Sequence, residues 1–351
     1  MKPQVAFVDH SFHKKTHSFD FFRKILSDNV EIDDLWDDHW KGGGRVKINI
    51  LNRYQYIVFA QSINEYKDLK KIKGKIIWLP MYDNETTSIY RLDRALYYKL
   101  LASIPIRVIC FSEKVYKRFV TLGLDCLLVK YYLNPSGYKK VSDYQSKRIF
   151  LWDRGNISFQ DAKNIIGKQK IGRFILKIDY DPGLKNKMPS KKDIKQYNLE
   201  IIEGAIPKDK YLEILSRANI FICPRKKEGI GMSFLEAMAM GQLVIAHNDS
   251  TMNEYIESAK NGILIDNWDD EIDLTNFNKM GIEARKTCEQ GYKNWQSSHD
   301  KIISFMLSSK KNKRRGPVED RGLYLLWQVL DKFYKIIMPL YQFLRGSREQ
   351  I

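Results

Sequence analysis

Residues 218–265 read ANIFICPRKKEGIGMSFLEAMAMGQLVIAHNDSTMNEYIESAKNGILI. NIFIC (219–223) is apolar and of strand length, and Pro224 stops it. A loop with Glu228, Gly229, Ile230 and Gly231 follows; a helix then opens near Ser233 and runs to Met240, and LVIAH (243–247) is the next strand. Strand, glycine loop, helix, strand is one step of a parallel α/β sheet. Gly229 and Gly231 allow the backbone to approach a ligand closely, and the free N–H groups and dipole of the helix start favour a phosphate or pyrophosphate. Glu228 and Glu236 stand eight residues apart. Both can flank one mouth at the carboxyl end of the sheet, where open α/β folds bind ligands. Carboxylates accept hydrogen bonds from sugar hydroxyls while amides take the phosphate. Two acids around an anion site therefore point to a sugar nucleotide rather than a bare phosphate.

The alternation extends towards the N-terminus. RIFLW (148–152), RFILKI (173–178) and LEII (199–202) read as strands, with helices over Ser158–Ile166 and Lys208–Arg217. The polar, turn-rich stretch 133–147 reads as a linker. Before it, VAFVD (5–9), YIVFA (56–60), KIIWLP (75–80) and RVICFS (107–112) are strands, with helices over Phe19–Leu26, Ser88–Leu101 and Glu113–Leu122. KGGGR (41–45) is a loop with no helix start behind it, which makes it a poor phosphate cradle. The expected organisation is an α/β domain over 1–132, a linker over 133–147, a ligand-binding α/β domain over 148–307 and a tail over 308–351.

The tail opens on the basic run SSKKNKRRG (308–316), which contains Arg314 and Arg315. GLYLLWQVLDKFYKIIMPLYQFLR (322–345) then reads as a helix with one polar stripe, Gln328, Asp331, Lys332, Lys335 and Gln342. The rest of its surface is apolar, including Trp327, Phe333 and Phe343. A wide apolar face beside a basic segment suits a helix lying on an anionic membrane surface; packing on the protein's own core is the alternative. Pro339 is expected to kink it.

The 351 residues leave room for about two domains. A hydrophobic content of 44% excludes global disorder, and the net charge of +17 favours anionic partners. The four cysteines (Cys110, Cys126, Cys223, Cys288) form no C-x-x-C pair, so a disulfide framework or zinc ribbon is not expected and a reducing compartment fits. No apolar run reaches the roughly 18–20 residues of a membrane span. The expectation is a cytoplasmic protein, peripheral on the inner face of the plasma membrane.

The 218–265 stretch, with EIIEGAIPKDKYLEILSRANIFICP (200–224) before it, resembles the retaining glycosyltransferases of family 4, whose signature is Glu-x7-Glu, here Glu228 and Glu236. Glu254 and Asn261-Gly262 extend the likeness, which covers roughly 148–307 and is faint before 148. The resemblance implies the GT-B fold, two Rossmann-like α/β domains facing a central cleft and closing over the donor. It implies that Glu228 contacts the transferred sugar and Glu236 holds the ribose hydroxyls. The amides of Gly229, Ile230, Gly231 and Met232 would meet the sugar and phosphate, with Ile206 near the base. Arg154, in FLWDRG, would steady the diphosphate leaving group. The family's usual lysine six residues on is replaced by Gln160; Lys163, Lys226 or Lys227 could substitute. The implied reaction needs no cofactor and no catalytic metal. It uses a nucleoside-diphosphate sugar, with a UDP-sugar favoured, and a lipid-linked saccharide acceptor in cell-surface polysaccharide assembly.

On the acceptor side, Asp83 in LPMYDNE (79–85) follows a strand and either orients the acceptor hydroxyl or caps a turn. The loop VDHSFHKKTHS (8–18) offers His10, His13 and His17 with Lys14 and Lys15, an acceptor or diphosphate loop rather than a metal site, because no carboxylate or cysteine completes an obvious set. Asp179-Tyr180-Asp181 precedes Pro182-Gly183 and reads as a turn, not a metal-binding D-x-D. Two competing readings are a non-catalytic sugar-nucleotide or glycan binder, suggested by Gln160, and a basic nucleic-acid-binding protein. The second lacks any helix-turn-helix, zinc or aromatic RNA-binding motif, so no nucleic-acid partner is expected.

Overall fold

The computed structural model describes residues 2–85, 91–180, 188–308 and 317–346, with side chains in the last segment described over 321–337. The chain divides into two compact units, one made of 1–129 with 299–351 and the other of 130–298.

The first unit holds strands β1 (Gln4–Asp9), β2 (Glu31–Trp36), β3 (Tyr56–Ala60), β4 (Lys75–Leu79), β5 (Ile106–Cys110) and β6 (Asp125–Leu128). They form one sheet in the order β2-β1-β3-β4-β5-β6, every described pairing parallel. Its helices are α1 (His13–Thr16), α2 (Asp20–Ser27), α3 (Ile48–Leu51), α4 (Tyr66–Leu69), α5 (Tyr82–Glu85), α6 (Leu92–Leu101) and α7 (Glu113–Thr121). The central strands read as unbroken apolar runs because helices cover both faces. Edge strand β2, EIDDLW, is the exception, and its acids keep the open edge polar.

The second unit holds β7 (Arg148–Asp153), β8 (Arg173–Ile178), β9 (Leu199–Glu203), β10 (Ile220–Ile222), β11 (Leu243–His247) and β12 (Gly262–Ile265), in the parallel order β12-β11-β10-β7-β8-β9. Its helices are α8 (Phe159–Ile166), α9 (Lys191–Gln196), α10 (Lys208–Leu215), α11 (Met232–Met240) and α12 (Phe277–Ser297). Ser158 starts α8 with a capping box, its hydroxyl bonding the Asp161 amide while the Asp161 carboxylate takes the Ser158 amide. Gly281 lets α12 lie against the backbone of Gly241, where a Cβ would strike the Gly241 carbonyl.

The division differs from the expected boundaries in two places. Residues 133–147, expected as a linker, pack on the second unit: the Val141 amide bonds the Met240 carbonyl at 2.8 Å and the Tyr144 hydroxyl the Gly241 carbonyl at 2.6 Å. The chain then returns to the first unit at 299 rather than after 307. Helix α13 (His299–Leu307) is held there because Arg107 at the start of β5 donates to the carbonyls of Phe305 and Ser308. Helix α14 (Pro317–Gly346) also belongs to the first unit and packs on α6.

Candidate active site

In the second unit, β10 ends at Cys223-Pro224 and the loop runs into α11 through Gly231, whose φ of +81° suits glycine and would strain any other residue. A Cβ there would also meet the Phe234 ring. No side chain caps α11, so the loop delivers a helix start with its amides unclaimed by a capping group. The loop is braced from 250–254: the Glu228 amide bonds the Ser250 carbonyl at 3.3 Å, and the Thr251 hydroxyl bonds the Ile230 carbonyl at 3.3 Å. Gly229, Ile230 and Gly231 are buried, whereas Met232 and Glu228 are half-buried.

Glu236 lies inside α11 and is only 2% exposed. Burial pushes its carboxyl above the usual range, and the Lys208 ammonium, bonded to Oε1, opposes that push. Oε2 is buried with no hydrogen-bond partner. The Tyr211 hydroxyl, one turn along α10 from Lys208, and the Trp152 Nε1 atom are likewise buried without partners. Burial makes an unpaired polar group costly, by about 1–3 kcal/mol each, until a ligand or a water completes it.

Arg154 follows β7 directly, and its guanidinium lies 4.7 Å from the Trp152 ring centroid. Lys177 of β8 is the register partner of Trp152, and its ammonium lies 4.3 Å from the same centroid. Two cations thus share one indole. Lys177 is 2% exposed; burial lowers its pKa, while a 2.8 Å bond to Asp179 opposes that shift. Sequence reasoning passed over Lys177, because one lysine in a strand usually faces solvent. Of the expected substitutes for the absent lysine, Lys163 is engaged by Asp193 at 3.1 Å, and Lys226 and Lys227 are exposed. Gln160 is exposed and bonds Asn164. Ile206 is half-buried in the β9–α10 connection. Of the D-x-D, Asp179 pairs with Lys177 and the Tyr180 hydroxyl donates to Asp153, while Asp181 lies outside the described residues.

In the first unit, a small cavity at the carboxyl ends of β1–β3 is lined by Asp9, His10, Asp37, His39, Ser62 and Asn64 among others. Asp9 accepts from the His10 amide (2.8 Å), His13 Nδ1 (2.6 Å) and Arg23 (3.0 Å). Sequence reasoning discounted Asp9, which directly precedes His10; in the structure its carboxylate lies in reach of both His10 and His13. Its two oxygens are already engaged, so a metal would have to displace a histidine or an arginine. His10 bonds Gln61 at 2.9 Å, and burial, with His13 beside it, lowers its pKa. His17 and Lys15 are exposed, and His17 pairs with Asp20. Asp83 accepts from the Asn84 amide at 3.1 Å, a local turn contact. The buried acid of that motif is Glu85, bonded by the Tyr98 hydroxyl and by Arg94.

In α14, Trp327 does not face outward. Its ring packs 5.3 Å from Tyr97 at the first unit's core, alongside Leu323 and Tyr324. The apolar residues that remain exposed include Leu325, Val329, Phe333 and Ile336, with Lys332 and Lys335 exposed among them. Trp327 was expected on the outer face because an almost all-round apolar helix does not reveal which side its own core takes. The helix runs on through Pro339; the Phe343 side chain, Arg314 and Arg315 lie outside what is described. Among the described residues, no helix is long and apolar enough to cross a membrane.

Residues 183–276 match the family described as Glycosyl transferases group 1. The curated alpha-maltose-1-phosphate synthase of Mycolicibacterium smegmatis is 37% identical over 64 residues, which span 18% of this chain and 16% of that protein. The chain thus spans about one sixth of that relative's length. Among solved structures, Anabaena Alr3699/HepE in complex with UDP and glucose has a TM-score of 0.59 at 13% identity, covering 86% of this chain and 100% of that one. Sucrose-phosphate synthase from Thermosynechococcus elongatus gives 0.60 at 15% identity, covering 86% and 98%. The lipopolysaccharide outer core galactosyltransferase WaaB in its apo form gives 0.55 at 12%, covering 86% and 98%. The two parallel-sheet Rossmann-like units have the GT-B fold, and the segment similar to Glycosyl transferases group 1 contains the Glu228 loop and α11.

Proposed function

We propose that the protein is a retaining glycosyltransferase that moves a sugar from a nucleoside-diphosphate sugar, a UDP-sugar first, to a lipid-linked saccharide in cell-surface polysaccharide assembly. The observation that carries this reading is the second unit's mouth: an uncapped helix start after a glycine turn, with buried, unpartnered Glu236 Oε2 beneath it. Amides at the helix start suit a diphosphate, and a carboxylate suits ribose hydroxyls. The complexes of HepE with UDP and with UDP-glucose support the donor class by analogy of fold.

In this reaction the acceptor oxygen bonds to the anomeric carbon on the face the leaving group departs. The bond from that carbon to the diphosphate oxygen breaks, and the acceptor proton passes to a leaving phosphate oxygen. Glu228 faces the transferred sugar, Arg154 and Lys177 meet the charge that develops on the diphosphate, and Glu236 holds the ribose. No metal is assigned a role, since Lys177 already engages Asp179. The acceptor side is assigned to His10, Lys15, His17 and Asp83. The exposed apolar face of α14, with Lys332 and Lys335, suits an anionic membrane surface, which supports a peripheral location on the inner face of the plasma membrane.

The test is calorimetry with UDP-, GDP-, dTDP- and ADP-sugars on wild type and Glu236→Ala. Micromolar binding of one donor, lost in the variant, is expected. Binding of none, with vesicles present, defeats the reading. Glu228→Ala is expected to keep donor binding and lose turnover; full turnover in it would remove Glu228 from catalysis, and a wild type that binds the donor but never turns it over would leave a binding protein.

A further inference from the structure

We propose that Lys208 is a positioning residue of the nucleotide site: it holds Oε1 of Glu236 so that Oε2 faces a ribose hydroxyl, and the Tyr211 hydroxyl supplies the second contact to that diol. The proposal rests on the donor reading above and adds two residues and a pH dependence to it.

The geometry is specific. Glu236 is almost wholly buried, yet only one of its oxygens is used, and among the described residues Lys208 is its single ion-pair partner. The Lys208 side chain is 58% exposed, so it reaches in from the surface. Its ammonium lies 4.9 Å from the Tyr211 ring centroid, so one turn of α10 carries both residues. Tyr211 is itself buried, with its hydroxyl unpartnered.

Among the described residues, no second charge of opposite sign lies at bonding distance of Glu236. The segment before β7 brings the phenols of Tyr131 and Tyr138, both pushed up in pKa first by burial, with Glu236 adding to that shift. The phenol of Tyr211 is also raised, by burial and then by Glu236; Cys223 and Tyr138 add to that rise and Arg154 opposes it. Tyr211 therefore stays protonated and can donate. A ligand with neighbouring hydroxyls would donate one proton to Oε2 and accept the Tyr211 proton on an oxygen, satisfying two buried atoms at once. A carboxylate serves only while ionised. Burial works against ionisation and Lys208 works for it.

The experiment is calorimetry of UDP, GDP, dTDP and ADP from pH 5.5 to 9 on wild type, Lys208→Met, Lys208→Arg and Tyr211→Phe, with the 2′,3′-dideoxy form of the best ribonucleotide as control; dTDP, which lacks the 2′-hydroxyl, should bind more weakly than that ribonucleotide, and tighter binding of dTDP overturns the diol contact. Lys208→Met is expected to weaken binding about tenfold or more at pH 7 and to regain part of it as pH rises, because the carboxyl now ionises later. Lys208→Arg should restore the wild-type profile to within about threefold. Tyr211→Phe should weaken binding about five- to tenfold while the unliganded protein melts no lower, since an unpaired buried hydroxyl has gone. The dideoxy ligand should bind wild type weakly and lose the differences among variants. Unchanged affinity and pH profile in Lys208→Met, or tighter binding because Lys208 had blocked the site, overturns this proposal and leaves the donor reading standing. If wild type binds none of the four nucleotides, both fall together.

Discussion

The two sheets end in different kinds of polar site. At the carboxyl end of β1 in the first unit, Asp9 is fully enclosed by its own neighbours: the His10 amide, His13 and Arg23 take both oxygens. Glu85, in α5 of the same unit, is likewise bonded by Tyr98 and Arg94. At the mouth of the second unit, Glu236 Oε2, Tyr211 Oη and Trp152 Nε1 are buried and unclaimed, and two cations lie on one indole. The carboxylate networks of the first unit stabilise a fold, although His10 Nδ1 and Asn64 Nδ2 beside Asp9 are also buried without partners. The second arrangement leaves a carboxylate oxygen, a phenol and an indole N–H free to be completed by a donor, and binding would recover the stability that unpaired buried polar atoms cost.

The largest expected effect on stability tests the closed network. Asp9→Ala takes the buried partner from His13 and from Arg23, which keeps Asp34 at 2.8 Å, and should cost about 1–3 kcal/mol of stability, read by denaturant unfolding. A loss below about 1 kcal/mol would mean that Asp9 is not structural and would remove the contrast between the two sites. Next is Glu228→Ala, at the open mouth. Turnover should fall about 10²- to 10³-fold, with nucleotide affinity and melting temperature nearly unchanged. A melting temperature that falls with the activity would erase the contrast between the two sites.

Lys177→Met sharpens it further. A buried lysine built for stability should be missed by the fold, whereas one built for an anion should not. The expected result is about 10- to 100-fold slower turnover with stability equal or higher, since a methionine suits the apolar surroundings better than an ammonium. Lys163→Met, which breaks the pair with Asp193, should leave turnover alone.

How far the sequence revealed these sites follows from what its patterns report. The β10–loop–α11 segment was legible because apolar runs and paired glycines leave few alternatives, and the observed α11 starts one residue before the expected Ser233. Central strands were legible for the same reason. Edge strand β2 was not, since Ile32 and Leu35 are diluted by Glu31, Asp33 and Asp34. Lys177 and Lys208 were missed because a lysine in a strand or at a helix start carries no periodic signal of burial or pairing. The Asp9–His13 bond joins residues on the two sides of a strand-to-helix turn, a distance that spacing alone does not give.

Helix α14 repeats the contrast along one element. Trp327 is turned to the core, and Phe333, 55% exposed, is turned away. Phe333→Ser should reduce binding to anionic phospholipid vesicles about tenfold, as expected for losing one buried phenyl from a bilayer contact, with little change in melting temperature. Trp327→Ala should do the opposite, lowering the melting temperature first. Equal vesicle binding by Phe333→Ser and wild type would sink the membrane assignment.

The smallest effect concerns His10, whose neutral form the first unit favours. Burial, and then the neighbouring His13, lowers its pKa below the ordinary 6.5. Between that ordinary value and the folded one, the unfolded chain binds the proton and the folded chain does not. Stability therefore rises with pH through this window and falls as the solution is acidified below 6.5. His10→Gln removes that proton and should flatten the slope, read as melting temperature against pH, while the Gln61 neighbour still offers a hydrogen-bond partner. A variant with the same slope as wild type would assign the pH dependence elsewhere. The acceptor assignment of His10, which lines the cavity of the first unit, predicts in addition that acceptor affinity falls at every pH in this variant. Unchanged acceptor affinity would remove His10 from the acceptor side and leave that end of the first unit a structural network.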